Sequence, residues 1–194
     1  MSAAMLGGPG SAAGLDQAAP NGLVVLARAH WPAGRSEKLP ALPGFVVSSF
    51  NPLVAEVARR CLSQFFGEPP VDPARGERIA VVLVSPTGDI ATAAAVAAAV
   101  DQGRRVPPML FYQSNLNAVV GFVTARWGLA GPVVCVCPSG DPLTDARDCA
   151  SLVAADGDAD AVLVVIASQG HAPGTADQAD AFLVGPPSWG GTAR

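Results

Sequence analysis

Three stretches of the chain, residues 79–84, 133–137 and 161–167, are apolar at every position. A strand with one face in water alternates apolar and polar residues. An uninterrupted apolar run is instead typical of a strand covered on both faces in a parallel or mixed sheet. Helical patterns separate the three runs, and strands that alternate with helices indicate a layered α/β fold. The sequence therefore predicts an α/β protein with a mixed, largely parallel sheet flanked by helices.

Capping residues and prolines mark where the helices begin. Asn51 is followed by Pro52, and Asp141 is followed by Pro142. Asn and Asp side chains accept hydrogen bonds from the first helical turn, and proline is tolerated at the first helical position. We predict helices over residues 51–66, 89–102, 115–127 and 141–154.

The two ends of the chain differ in composition from its middle. Residues 1–21 are mainly Gly, Ala, Ser and Pro, which is typical of a disordered leader. Residues 22–29 are a further strand candidate, and residues 45–47 are a short extended piece. The third apolar run is predicted to be the last strand. We expect one domain over residues 22–185 and a frayed tail over residues 186–194.

The charge balance excludes two classes of partner. Twelve Lys and Arg residues against sixteen Asp and Glu residues give a net charge of −4, and the basic residues form no cluster. Nucleic acids and anionic membranes bind basic patches, so neither is expected as a partner. No apolar run approaches the roughly 20 residues of a membrane span, and the N-terminus lacks the pattern of a signal peptide. We expect a cytoplasmic protein.

The four cysteines do not form a metal-binding pattern. Cys61, Cys135, Cys137 and Cys149 include no C-x-x-C pair. Cys135 and Cys137 are two residues apart on a predicted strand, so they share a face and resemble small buried hydrophobic residues more than zinc ligands. We expect neither a metal ion nor an organic cofactor.

The sequence carries no complete motif of a common catalytic site. The turn at residues 85–89 lacks the glycines and lysine of a phosphate-binding loop. The glycines around Ser139 do not have the G-x-S-x-G spacing of a nucleophile elbow. His30, in a predicted loop, and His171 have no nucleophile or acid partner nearby in the sequence. Both are interpreted as surface residues.

Ordered motifs in the middle of the chain resemble the β-ketoacyl synthases. Residues 117–121 (N-A-V-V-G) and 125–132 (A-R-W-G-L-A-G-P) are similar to the segment that precedes the active site in that family. Residues 157–163 (G-D-A-D-A-V-L) resemble the segment after the nucleophile helix. The resemblance covers roughly residues 45–168 and implies the N-terminal half of a thiolase-like ketosynthase, with a sheet of the five-stranded type.

The same resemblance implies that the catalytic cysteine is absent. Active synthases carry T-A-C-x-S/A-G at the end of this strand, with the cysteine at a helix N-terminus, where the dipole favours thiolate. Counting back without gaps from residues 157–160 puts Ser139 at that position, and Cys137 lies two residues earlier. The two catalytic histidines of the family come from its C-terminal half. The resemblance therefore implies a pseudoenzyme.

The resemblance also implies a protein partner. In the family, a dimer partner covers the strand and the helix near the active site, and exposed apolar surface usually marks such an interface. The expected partner is a ketosynthase subunit or a second copy of this chain, with acyl carrier protein as a further candidate. The predicted interface residues are Asn117, Val120, Gly121, Val134 and Val136.

The resemblance thus favours a catalytically inactive ketosynthase-like accessory subunit in polyketide or fatty-acid biosynthesis, with a role like that of a chain-length factor. Three alternatives stay open. One is an acyltransferase or thioester hydrolase that uses Ser139 or Cys137. Another is an unrelated α/β module that binds a small molecule. The third is a decayed remnant without function.

Overall fold

A five-stranded mixed sheet organises the chain. The computed structural model describes residues 22–34, 37–170 and 175–190. The strands are β1 (Val24–Trp31), β2 (Ile79–Val84), β3 (Val133–Val136), β4 (Ala161–Ser168) and β5 (Gln178–Gly185). The helices are α1 (Phe50–Phe66), α2 (Pro73–Gly76), α3 (Ile90–Asp101), α4 (Pro108–Gln113), α5 (Leu116–Trp127), α6 (Pro142–Ala155) and α7 (Pro187–Gly190).

The strand order is β1-β5-β4-β2-β3. Strands β2, β3 and β4 are parallel, whereas β5 runs antiparallel to both of its neighbours, β4 and β1. Every residue of β2 is buried, which explains its uninterrupted apolar run. The predicted layered α/β fold with a mixed sheet is therefore confirmed.

Helices cover both faces of the sheet. Alternate residues of β2 point to opposite faces. Ile79, Val81 and Leu83 join the core cluster that includes α1 and α5. Ala80, Val82 and Val84 join the cluster that includes α6. The sheet thus separates α6 from the layer formed by α1 and α5.

The backbone differs from the prediction at two places. The third apolar run is not the last strand, because β5 follows it and lies between β1 and β4. Residues 45–47, predicted as a short extended piece, belong to no strand and are not extended throughout. Val47 has a positive φ of 76°, and the side chain of Gln113, rather than a neighbouring strand, binds both the N–H and the carbonyl of Val46.

Three of the four main helices have capping residues where the sequence suggested them. Asp89, Asn115 and Asp141 each accept a backbone N–H from the first turn of α3, α5 and α6 respectively. The predicted cap of α1 is wrong. Its N-cap is Ser49, and the Asn51 side chain instead points into a buried polar cluster.

The predicted tail contains a packed turn. Within it, α7 places Trp189 edge-on to Phe66, with ring centroids 6.5 Å apart. The Cζ atom of the Arg75 guanidinium lies over the Trp189 ring, 5.2 Å from its centroid. The predicted leader, residues 1–21, lies outside the described residues. In the part of the chain that the structure describes, no helix combines the length and apolar character needed to cross a membrane.

Candidate functional site

The position assigned to the nucleophile lies at the junction between β3 and α6. β3 ends at Val136, and Asp141 caps α6. The intervening turn follows the carboxyl end of the sheet's edge strand. Cys137, Ser139 and Gly140 are all exposed there. The structure therefore brings Ser139 to the N-terminal end of a helix, as the resemblance implies for a nucleophile position.

The carboxylate of Asp145 occupies this turn. Its Oδ2 atom accepts the backbone N–H of Ser139 at 2.6 Å and that of Gly140 at 3.4 Å. The Ser139 hydroxyl lies 3.3 Å from the same oxygen. A carboxylate in the first turn of a helix is favoured by the helix dipole. Asp145 thus accepts the two N–H groups that an oxyanion bound at this turn would need as its donors.

No histidine activates Ser139 within the described residues. In the part of the chain that the structure describes, Asp145 is the one side chain with which the Ser139 hydroxyl makes a hydrogen bond. His30 lies in β1, at the opposite edge of the sheet, and not in a loop. Its Nδ1 lies 2.8 Å from Asp180 Oδ1, so it also has the acid partner that the sequence did not reveal. His171 lies outside the described residues.

Among the described residues, the Cys137 thiol makes hydrogen bonds only to carbonyl oxygens. Its Sγ is exposed and lies 3.7 Å from the carbonyl oxygen of Pro86 and 3.9 Å from that of Pro138. Carbonyl oxygens do not stabilise a thiolate, which needs a nearby cation or helix N-terminus. The expectation that Cys137 is a buried small hydrophobe is wrong. Cys135 is half-buried, and burial raises the pKa of its thiol.

The predicted interface residues occupy different environments. Asn117 and Gly121 are exposed on α5, and Val134 and Val136 are half-buried on β3. Val120 is only 2% exposed and lies in the chain's own core. Strand β3 ends the sheet and pairs with β2 alone among the described strands, so its outer edge is open.

A second apolar surface, which the sequence analysis missed, lies on α4. Met109, Phe111 and Tyr112 are 48%, 77% and 57% exposed. Beside them, a cavity of about 380 Å³ reaches to Asn115 and Asn117 at the start of α5. The sequence did contain an indication of this helix. Two prolines, residues 107–108, precede M-L-F-Y-Q, and proline favours the start of a helix.

Buried polar contacts fix the starts of α1 and α3 and the end of α4. The Asn51 Nδ2 donates to Asp89 Oδ2 at 3.0 Å and to the carbonyl of Gln113 at 3.3 Å. Asp89 also accepts the N–H and the hydroxyl of Thr92, at 3.0 and 2.7 Å. This cluster holds α4 and its exposed side chains against the body of the protein.

The fold of this chain is similar to that of solved ketosynthase structures. One match is to the ketosynthase ApeO in complex with its chain length factor ApeC from Xenorhabdus doucetiae, at 19% identity and a TM-score of 0.63, covering 84% of this chain and 79% of that one. The chain has the ketosynthase fold. The predicted thiolase-like, ketosynthase-like architecture is therefore confirmed.

Two further ketosynthase structures show the same similarity over longer chains. The ishigamide ketosynthase/chain length factor matches at 19% identity and a TM-score of 0.63, covering 84% of this chain and 50% of that one. The AntDE:AntF complex, a type II acyl-carrier protein with its ketosynthase, matches at 12% identity and a TM-score of 0.62, covering 86% and 62%. This chain thus spans about half to two-thirds of their length. No protein-family model and no curated protein matches the sequence.

Proposed function

We propose that this chain is a ketosynthase-like partner subunit in polyketide or fatty-acid biosynthesis that does not itself catalyse condensation, in the manner of a chain-length factor. One observation carries the proposal. The Asp145 carboxylate accepts both N–H donors of the turn at Ser139, the residue that the resemblance assigns to the nucleophile position.

Condensation needs a nucleophile, a group that activates it and an oxyanion site in one place. Ser139 has a carboxylate as its neighbour. A carboxylate alone is a poor base toward a serine hydroxyl, because their pKa values differ widely. A substrate oxyanion at this turn would also meet the negative charge of Asp145. The local chemistry therefore favours binding over catalysis.

Two surfaces support a protein partner. The open edge of β3 carries Val133, which is 46% exposed, and α4 presents three exposed large side chains. We propose that a ketosynthase subunit or a second copy covers the β3 edge together with Asn117, Gly121, Val134 and Val136. Complexes of a ketosynthase with a chain length factor among the similar structures support this choice. Acyl carrier protein is a second proposed partner, in line with the complex that contains one.

The first experiment measures condensation and partner binding together. The purified chain is assayed with malonyl and acyl thioesters, alone and after co-expression with a ketosynthase from the same host. We expect no product from the chain alone, and co-purification with the ketosynthase at a near-equal amount. Condensation by the chain alone would contradict the proposal.

The two edges of the sheet offer a matched pair of variants. Val133→Asp puts a charge on the β3 edge, and Val24→Asp does the same on β1, where the valine is 39% exposed. An unpaired charge in a covered interface is strongly unfavourable. We expect V133D to abolish co-purification and V24D to leave it unchanged. Equal behaviour of the two variants would remove the β3 edge from the interface.

A second candidate is an acyltransferase or thioester hydrolase that uses Ser139 or Cys137. The exposure of both side chains favours it, because a substrate could reach either one. Ser139→Ala and Cys137→Ala, assayed separately for thioester hydrolysis, test this candidate. Turnover that survives both substitutions would exclude it. The unrelated α/β module, in contrast, requires a fold other than the one observed.

A further inference from the structure

A separate pocket lies on the far side of the sheet from the β3–α6 junction. It is formed by the first turns of α1, the last turns of α5 and residues 40–42, and its volume is about 200 Å³. Both helices belong to the layer that the sheet separates from α6. No residue of this pocket belongs to the junction or to the proposed interface.

Most of the residues that line the pocket are apolar, and its charged residues are Glu56, Arg59 and Arg126. Leu42, Pro52, Phe122 and Trp127 line it. Trp127 is only 2% exposed. Phe122 packs edge-on against Phe45, with ring centroids 6.1 Å apart. A concave apolar site with few polar groups at its edge is the usual form of a small-molecule site, and rigid walls limit what it accepts.

Two arginines line the pocket, and they differ in their partners. Arg59 donates to both carboxylate oxygens of Glu56, each at 2.8 Å. Glu56 also accepts from Arg60 at 2.8 Å, so its acceptors are engaged, and the hydrogen bond from Arg59 is the main reason that its pKa is lowered. Arg126 makes neither a hydrogen bond nor an ion pair with any side chain in the described ranges.

One positive charge is therefore left over beside this apolar pocket. Arg60 also pairs with Glu37, which leaves three guanidinium groups around two carboxylates. An arginine presents two parallel N–H donors that match the two oxygens of a carboxylate. Within the described ranges, no protein group occupies these donors of Arg126 at the edge of the pocket. The site thus offers a cationic group and an apolar wall to the same ligand.

We propose that this pocket binds a small organic monocarboxylate, with its hydrocarbon body among Leu42, Phe122 and Trp127 and its carboxylate on Arg126. The volume lies below the roughly 300–1,000 Å³ of pockets for drug-sized ligands, so the ligand has on the order of ten non-hydrogen atoms. This inference goes beyond the proposed function and does not depend on it, because it uses no residue of the β3–α6 junction.

Isothermal titration calorimetry with octanoate tests the proposal on the full chain. Octanol and octylamine serve as neutral and cationic probes with the same alkyl chain. We expect octanoate to bind with one-to-one stoichiometry, octanol to bind at least tenfold more weakly and octylamine not to bind, because only the carboxylate gains a charge-assisted hydrogen bond. No heat from octanoate up to about 10 mM would overturn the proposal.

Variants of Arg126 separate the charge from the shape of the pocket. Arg126→Gln is expected to weaken octanoate binding at least tenfold and to leave octanol binding unchanged. Arg126→Lys keeps the charge without the bidentate geometry. Its affinity for octanoate is expected to lie between those of the R126Q variant and the unmodified chain. Arg104→Gln removes an exposed arginine outside the pocket and is the control. Equal octanoate affinity in R126Q and the unmodified chain would also overturn the proposal.

Discussion

Replacing Gly131 with alanine should loosen the β3 edge of the sheet. Gly131 precedes β3 and lies against the start of β2. An added Cβ would lie 2.5 Å from the carbonyl oxygen of Ile79 and 2.9 Å from the backbone nitrogen of Ala80. These are backbone atoms, so no side-chain rotation relieves the clash. The backbone φ of Gly131 is not in the left-handed region, and the collision alone therefore decides the outcome.

The magnitude follows from the displacement that the new methyl group requires. Contact at ordinary van der Waals distance requires a separation about 1 Å larger between Gly131 and β2. That shift weakens the adjoining hydrogen bond from Val81 N to Pro132 O, now 2.9 Å. Overpacking costs about 1–3 kcal/mol and the hydrogen bond about 1 kcal/mol, which gives a loss near 3 kcal/mol. The melting temperature should fall by roughly 6–12 °C.

Gly121→Ala is the matched control. Gly121 lies within α5, and a Cβ there would have no atom within 4 Å. Alanine in a helix is favoured over glycine by about 0.5–1 kcal/mol, so this variant should be slightly more stable. Urea unfolding followed by circular dichroism measures the free energy of unfolding of both variants. A Gly131→Ala protein within about 0.5 kcal/mol of the unmodified chain would refute the reasoning.

Two further predictions concern buried groups. Asp89→Ala removes the cap of α3 and leaves the buried N–H and hydroxyl of Thr92 without an acceptor, while the Asn51 amide keeps only its contact with the carbonyl of Gln113, so we expect a loss of about 3 kcal/mol in urea unfolding. Asp141→Ala removes a similar but exposed cap of α6 and should cost only about 1 kcal/mol; equal losses would contradict this account. Burial raises the pKa of Cys61 from 9.0 to about 12, so its thiol stays protonated in the fold while the unfolded chain ionises. The contribution of Cys61 to stability should therefore decline as pH rises from about 9 to about 12, by roughly 1 kcal/mol for each pH unit, and a Cys61→Ala variant with the same decline would exclude this cause.

The central strands could be predicted because burial on both faces leaves a plain mark on the sequence. Every residue of β2 is buried, and for that reason every residue of β2 is apolar. Strand β5 was missed because Ala179 and Ala181 are too small to indicate a core face, and Asp180 breaks any apolar run. Only its pairing with β1 and β4 makes it a strand, and a local pattern does not report pairing with distant residues.

The place of Ser139 beside the start of a helix could be predicted from the sequence, whereas its contacts could not. Counting from the downstream motif placed Ser139 at the helix start, where the structure also has it. The contact with Asp145 was missed because it depends on how the turn after β3 bends back over α6. The sequence did contain an indication of this contact, because Asp145 is an acidic residue in the first turn of α6, close after the Asp141 cap. The prediction that Asn51 caps α1 was wrong because an asparagine side chain suits a buried polar cluster as well as a helix cap.

The position of β5 in the sheet has a consequence for how the chain is made. Among the described strands, β1 comes first in the sequence and pairs with β5 alone, with Val24 opposite Gly185. During synthesis, β1 therefore gains this neighbouring strand only after residues 178–185 have left the ribosome. Helix α1 packs on both β1 and β5, so its buried face is also not fully covered until β5 has been translated. Contacts between distant residues slow folding and leave apolar surface exposed meanwhile. The order of the strands thus leaves β1 and the apolar face of α1 without their main partner until β5 has been translated.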